Sequence, residues 1–408
     1  MVTPPTTEPS SARVPWGSRT VQVVLASTVL APLGVPLVAP ALPVIRDTFG
    51  VTDARASLLV SAYFVVGVLL SPFIGIVVDR LGRKRVLVAS LVAFALAGGA
   101  IAFAPTFDAV LVLRALQGTA AAGIFITTVT LIGDSFEGTQ RNAVFGVNIA
   151  VLSVGAAVFP VVGGALVSVA WYVPFLLSFA ALPVAAFALR YLAEPVVERD
   201  ARSLAYLRGA LDVVARRGVV ALYGVAFLTE FLLFGAAFTA FPFLLTAEFA
   251  LAPVVVGLVL LTAEGVSVVV AAKNGWFARR LSNRNLIAVG FACYGVGLLV
   301  AWLATAPWLF GVAAIAFGAG VGLSMPAVDA AVSDRVAGTY RAGALSLRNS
   351  TTFLGRATGP IAFAGLAVTT GYPTLLLAGG IVALAAAVVA TAARTRPKPV
   401  EGVVADTE

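Results

Sequence analysis

Apolar residues run along this chain in long unbroken stretches, separated by short clusters of charged and turn-forming residues. A helix needs about 20 residues to cross a hydrocarbon core roughly 30 Å thick, and the stretches reach that length repeatedly. Breaking them at the polar clusters predicts spans near 21–45, 56–78, 86–104, 108–132, 143–168 and 172–192. A second set is predicted near 219–246, 253–274, 286–305, 308–332, 343–369 and 372–393. Apolar and polar positions do not alternate within a run, which excludes a transmembrane barrel. The pattern therefore predicts an all-α polytopic membrane protein with twelve transmembrane helices in two sets of six.

The rest of the chain divides accordingly. Residues 1–19 are rich in Pro, Thr and Ser and are expected to be a disordered tail. The first apolar run is too long for a signal-peptide core and is read as a retained span. A six-helix unit over 20–192 is expected to join a second over 219–393 through a linker at 193–218, with a tail at 394–408. The linker is dense in charge, with Glu194, Glu198, Arg199, Asp200, Arg202 and Arg208 followed by Asp212, Arg216 and Arg217.

The two sets repeat at an offset near 200 residues. Gly75 answers to Gly275, Arg80-Leu81 to Arg280-Leu281, Gly118 to Gly318, Asp134 to Asp334, Arg141 to Arg341, Gly155 to Gly355 and Pro160 to Pro360. Six spans per repeat start both halves in the same orientation, so they are related by an axis along the membrane normal. Two pseudo-symmetric bundles with a substrate site between them near mid-membrane follow from that relation.

Composition agrees with the pattern: 60% of residues are hydrophobic and 11% charged. The mean hydropathy is +1.01. The net charge of +8 could suggest a nucleic-acid partner, but the basic residues lie almost entirely in the short connections. Arg46 and Arg55 fall on one side of the membrane, Arg114, Arg348 and Arg356 inside spans, and the remaining Lys and Arg residues on the side of the termini. By the positive-inside bias both termini and the linker are expected to be cytoplasmic, in a multi-pass protein of the plasma membrane. Cys293 is the only cysteine and there is no histidine. No metal cluster, intrachain disulfide or cofactor is expected, and any proton chemistry falls to carboxylates.

After the second span comes Gly75-Ile-Val-Val-Asp79-Arg80-Leu-Gly82-Arg83-Lys84-Arg85. A glycine turn there places one carboxylate among four cations, which can hold helix ends together. The fourth span carries Arg114-Ala-Leu-Gln117-Gly118, an arginine inside the apolar run. Such a cation is costly unless it faces a partner or water, or else snorkels outward toward Asp108. The fifth span reads Gly146-x8-Gly155-x3-Phe159-Pro160-x2-Gly163-Gly164. Small residues on one face permit close helix approach, and the proline bends the span.

These three segments resemble signatures of the major facilitator superfamily. The first matches G-x-x-x-D-R-x-G-R-[KR]-[KR] at every fixed position, the second R-x-x-Q-G, and the third the antiporter signature G-x8-G-x3-G-P-x2-G-G with Phe159 replacing one glycine. A degenerate first motif, Gly275-Trp-Phe-Ala-Arg279-Arg280, lacks the aspartate. The resemblance implies two six-helix bundles working by alternating access, with Asp79 bracing the eleventh span in the outward-facing state and Arg83 near Asp134 as its partner. It points to the drug:proton antiporter branch. Lipid, protons and a small-molecule substrate are the expected partners, and the protein is expected to act as a monomer.

The candidates for coupling or substrate recognition are the polar groups inside spans: Arg114, Gln117, Asn148, Glu230, Glu264, Asp329, Arg348 and Arg356. Asn148 occupies the position equivalent to Arg348. Glu230, on the cavity-lining seventh span, is preferred over Glu264 as the proton carrier. The alternative for both acids is a fixed ion pair with Arg348 or Arg356. An importer or uniporter of a small metabolite is the rival within the same fold, kept open by Phe159. A membrane-embedded enzyme would need paired aspartate clusters or a histidine site, and neither is present; nor is a G-x-x-x-x-G-K-[ST] loop for ATP.

Overall fold

The computed structural model describes residues 13–195, 217–336 and 338–392. Residues 1–12 and 393–408 of the expected tails lie outside the described residues, as do linker positions 196–216 with Glu198, Arg199, Asp200, Arg202, Arg208, Asp212 and Arg216.

Helix ends follow local chemistry. Thr52 accepts a hydrogen bond from the Arg55 amide and starts α3 (Asp53–Leu81). Thr106 does the same through Ala109 for α5 (Phe107–Ser135). Before α3, prolines 32, 36 and 40 interrupt the first crossing. It consists of α1 (Arg19–Val29), 3-10 turns at Ala31–Leu33 and Ala39–Ala41, and α2 (Leu42–Phe49). The first half continues with α4 (Arg83–Ala100), α6 (Gly138–Val167), α7 (Val173–Leu176) and α8 (Ala181–Tyr191).

The second half opens with α9 (Arg217–Leu232), a π-helix over Leu233–Ala240 and α10 (Phe241–Phe249), which together make one crossing. There follow α11 (Pro253–Ala272), α12 (Asn274–Ala278), α13 (Asn283–Trp302), α14 (Pro307–Arg335) and α15 (Gly338–Ala392). Among the described residues ten helices are long and apolar enough to cross a membrane. One of them, Gly343–Thr391, is bent at Gly371, whose φ of 75° is open to glycine, and so makes two crossings. With the proline-broken first crossing the total is twelve, in an all-α membrane fold.

The repeat is visible in the packing. A Cβ added to Gly118 would sit 1.9 Å from the Tyr63 carbonyl oxygen, and one added to Gly318 would sit 2.1 Å from that of Ala263. Arg83 bonds Asp134 at 2.9 Å, while Asn283 donates to Asp334 at 3.4 Å. Each pair recurs at the sequence offset, one glycine contact or polar tie per half.

The halves meet along α6 against α11 and α3 against the first part of α15. At the face where α3 begins, Gly164 abuts the Pro253 carbonyl and Gly257 abuts that of Pro160, with added Cβ atoms 2.3 and 2.4 Å away. Tyr372 donates to Asp53 at 3.1 Å and stacks on Phe243. Arg46 pairs with Asp53 at 2.8 Å and lies over the same Phe243 ring. This far face, opposite the termini, is sealed. Toward the terminal face the second crossing loosens: the far half of α3 buries Leu59, Val60, Tyr63 and Phe64, but among the described side chains from Val65 to Leu81 only Val78 is buried.

Candidate functional site

At the terminal face, the turn in the charged loop is made by Gly82, with φ of 94°, whereas Gly75 lies within α3 facing open space. The expectation of one carboxylate shared by four cations is corrected. Asp79 pairs with Arg83 at 3.0 Å, and among the described residues Arg80, Lys84 and Arg85 make no ion pair. Arg83 reaches instead into the bundle, where Asp134 accepts from its Nε. Glu194, which the sequence offered only as linker charge, accepts from the amides of Arg83 and Lys84 and caps the start of α4.

The two acids around Arg83 differ in exposure, Asp79 being 66% and Asp134 19% exposed. An exposed pair contributes about 0–1 kcal/mol, whereas stranding a mostly buried guanidinium costs roughly 1–3 kcal/mol. Asp134→Asn is therefore expected to lower the thermal midpoint of the purified protein by several degrees, and Asp79→Asn by about 1 °C or less. Equal shifts would remove Asp134 from this role.

Arg114 does not snorkel. It is fully buried, donating to the carbonyl oxygens of Gly34 at 2.7 Å and Leu59 at 3.1 Å and to Gln117 at 2.8 Å, with the Tyr63 ring 4.6 Å away. The proline-broken first crossing frees the Gly34 carbonyl that accepts it. Asp108 pairs with Arg55 instead. Gln117 extends the tie to Ser178. Both side chains thus lie inside the first bundle, joining its crossings. Asn148 is likewise buried there and accepts from Thr28 at 2.6 Å.

The antiporter-like segment splits by position. Gly146 faces open space, and Gly155 faces Pro32 of its own half, with an added Cβ 2.8 Å from the ring. Gly163 sits against the Leu37 carbonyl, also within the first half. Pro160, Val161 and Gly164 make close contacts with α11 across the two halves. The close approach expected along this face is thus made at Gly155 to the first crossing of its own half.

The centre holds the other polar groups. Glycines at 355 and 359 let α15 approach the α9 backbone, with added Cβ atoms 2.5 and 2.4 Å from the Phe227 and Phe231 carbonyl oxygens. That closeness brings Arg356 onto Glu230, and its Nε and Nη2 each donate to one carboxylate oxygen at 2.9 Å. Glu230 is buried, while Arg356 is 31% exposed and lies 5.2–5.9 Å from the rings of Phe353, Phe234 and Phe64. Two of these rings come from the second half and Phe64 from the first, and Phe125 adds an edge contact to Phe353. Glu264 is half-buried, makes no ion pair among the described residues, and is within Coulombic reach of Glu230 and Arg356. Nearer the terminal face, Arg348 pairs with Asp329 at 2.9 Å and donates to Asn349. Of the two fixed pairings left open for Glu230, the one with Arg356 forms.

Chemically, this centre offers an apolar aromatic surface, a bound ion pair spanning two crossings of one bundle and one free carboxylate. Among the described residues no group of His, Cys, Asp and Glu could hold a metal ion.

Comparison with known proteins fits this architecture. The chain is 27% identical over 350 residues to the bacillibactin exporter of Bacillus subtilis, covering 82% of this chain and 86% of that protein. It is 30% identical over 155 residues to the quinolone resistance protein NorA of Staphylococcus aureus, a stretch covering 38% of this chain and 40% of that one. A bacterial homolog of the human lysosomal transporter Spinster, solved in an inward-facing and unoccupied conformation, superposes with a TM-score of 0.74 at 18% identity, covering 93% of this chain and 96% of that one. The family model described as Major Facilitator Superfamily matches residues 24–271 and 222–408. These matches take in nearly the whole chain, which belongs to the Major Facilitator Superfamily and is a membrane transporter of small molecules, not an enzyme.

Proposed function

We propose that this transporter is a proton-coupled exporter of small amphipathic molecules, working by alternating access in the plasma membrane. The single observation that carries the reading is the central constellation: a buried carboxylate held by Arg356 through two hydrogen bonds, with phenylalanine rings from both halves around the guanidinium. Acids are the only side chains here suited to load and release protons in the membrane, since the chain has no histidine. The exporter among its relatives and the antiporter-like fifth crossing support the outward direction. The terminal face, rich in Lys and Arg, is the cytoplasmic one, so the conformation described opens inward. The units 20–192 and 219–393 rock as two bodies in a monomer, with the Asp79, Arg83 and Asp134 ties keeping the first unit stiff at its cytoplasmic edge.

Phe159, in place of the signature's third glycine, favours a second reading, an importer or uniporter of a small metabolite. Inside-out vesicles separate the two. With an imposed proton gradient, addition of a transported amphipathic dye is expected to accelerate both its accumulation and the decay of the gradient. Accumulation that continues unchanged after a protonophore collapses the gradient would overturn proton coupling, and uptake only by right-side-out vesicles would establish import.

A further inference from the structure

The first and sixth crossings meet side by side at the terminal face, and two cations sit between them without an acid. α1 begins at Arg19, α8 ends at Tyr191, and the two helices pack together. The Arg19 guanidinium lies 5.1 Å from the centre of the Tyr191 ring, and that of Arg190 lies 5.2 Å from the same centre. The two charges are therefore within about 10 Å of each other, roughly one Debye length at ordinary ionic strength. Neither makes an ion pair among the described residues. Arg19 donates to Gln22 at 2.9 Å, and Glu194, the acid next along the chain, is taken up by the amides at the start of α4. Two like charges held on one ring repel, and a shared anion removes that cost.

The surroundings are those of a membrane interface. Ahead of α1 the chain turns, with the Ser18 amide bonded to the Pro15 carbonyl, and Gln22 donates to the carbonyl of Trp16 at 3.0 Å. That turn leaves the Trp16 side chain 61% exposed, three residues before Arg19. Tyr191 is exposed as well, and Phe187 packs on it with ring centres 5.0 Å apart. Along α8, Leu182, Ala186 and Leu189 are exposed at the helical spacing that leads up to Arg190. Exposed aromatic rings thus stand where an apolar helix face gives way to two unpaired arginines. A phospholipid covers such a surface, its phosphate on the guanidinium groups and its acyl chain on the leucines.

We infer that Arg19 and Arg190 form a site for the headgroup of an anionic phospholipid, with Tyr191 as their shared support and an acyl chain along Leu182, Ala186 and Leu189. The lipid bridges the start of the first crossing to the end of the sixth and so braces the first unit at its edge. A zwitterionic lipid serves less well, because it brings a cation of its own toward the arginines. Nothing in this assignment depends on the direction of transport or on what drives it.

Trp16 serves as the reporter. In the full-length protein with Trp171, Trp276, Trp302 and Trp308 replaced by phenylalanine, it is the one tryptophan left. The protein is reconstituted into vesicles of one fixed mixture of phosphatidylglycerol and phosphatidylcholine. Bromine near the headgroup end of the acyl chains is carried by one lipid or by the other, so the surface charge never varies. Bromine quenches tryptophan at short range, and the two titrations give the relative occupancy beside Trp16. The anionic lipid is expected to be favoured ~30-fold, the ratio that about 1 kcal/mol from each arginine gives. Arg19→Gln with Arg190→Gln should bring the ratio to within about threefold, and Arg19→Lys with Arg190→Lys, which keeps both charges, should hold it above ~10-fold. Lys84→Gln with Arg85→Gln removes two cations elsewhere on the same face and should leave the ratio unchanged. Four outcomes overturn the proposal: equal quenching by the two lipids, a preference that survives both glutamines at 19 and 190, a preference lost equally with Lys84 and Arg85, and relief of quenching by millimolar inorganic phosphate, which would mark a free-anion site. The comparison of the two lipids needs no change at either arginine, so it can refute the proposal even where an arginine variant fails to fold.

Discussion

Gly164→Leu is expected to abolish uphill transport and leave the far face open. A single carbon added at Gly164 would lie 2.3 Å from the Pro253 carbonyl oxygen, and that atom belongs to backbone which cannot swing aside. Leucine adds four carbons where not even one fits. Overpacking of this kind costs about 1–3 kcal/mol, and every 1.4 kcal/mol shifts an equilibrium tenfold, so the sealed state would fall by up to about 100-fold. In a Cys293→Ser background, a cysteine placed at Phe243 reports the seal, because that ring lies beneath Arg46 and against Tyr372. Its labelling by a membrane-impermeant maleimide should rise several-fold in the Gly164 variant. Gly155→Leu makes the useful contrast, since its neighbour is Pro32 in the same half, and labelling should not rise there. Normal transport and unchanged labelling in Gly164→Leu would mean that the halves do not need this approach.

Glu230→Gln is expected to strand Arg356. A carboxylate accepts both guanidinium hydrogen bonds, whereas a glutamine offers only one acceptor and no charge. Removing one partner of a buried pair costs about 3–5 kcal/mol, and with Arg356 31% exposed to partial screening a loss of about 2 kcal/mol is the better figure. The thermal midpoint should fall by several degrees and gradient-driven transport should be lost. Adding Arg356→Gln removes the stranded charge and should recover most of the stability without recovering transport. A single variant as stable as the wild type would show that the pair contributes nothing to the fold. Retained uphill transport would leave Glu230 a structural partner only.

How far the site could be read from sequence depended on what fixes each feature. Span number and the break near residue 371 followed from apolar run length and glycine, both local properties. The twofold repeat was also legible, and the matched contacts of Gly118 and Gly318 bear it out. Pairing was not legible, because it depends on how each helix is turned about its axis, and uniformly apolar runs carry little periodic signal to set that rotation. Hence the sequence allowed Arg348 or Arg356 for Glu230, and only the close approach at Gly355 and Gly359 decides between them. For Arg114 the sequence left a partnered and an outward reading open, and only the structure supplies the partners. Asp108 is near in sequence, but the carbonyl groups that accept from Arg114 become available where prolines break another crossing. Glu194 could have been found by asking which acid lies within chain reach of the bare amides at the start of α4. Gly82 had a direct signal, a glycine immediately before a helix start.

The enclosure of Arg114 has a consequence for leakage. Within the predicted spans of the first half the one acidic residue is Asp108, at the outer start of its span and paired there with Arg55, so deeper in that bundle a proton meets only carbonyl oxygens and a permanent positive charge. At 10 Å and an effective dielectric constant of 20, that charge raises the energy of any passing cation by about 1.7 kcal/mol. The first bundle is thereby an insulator. The carboxylates inside spans, Glu230, Glu264 and Asp329, lie in the second bundle, so under the proposed proton coupling proton traffic would be confined to one side of the central cavity and the other half could move without opening a shunt across the membrane.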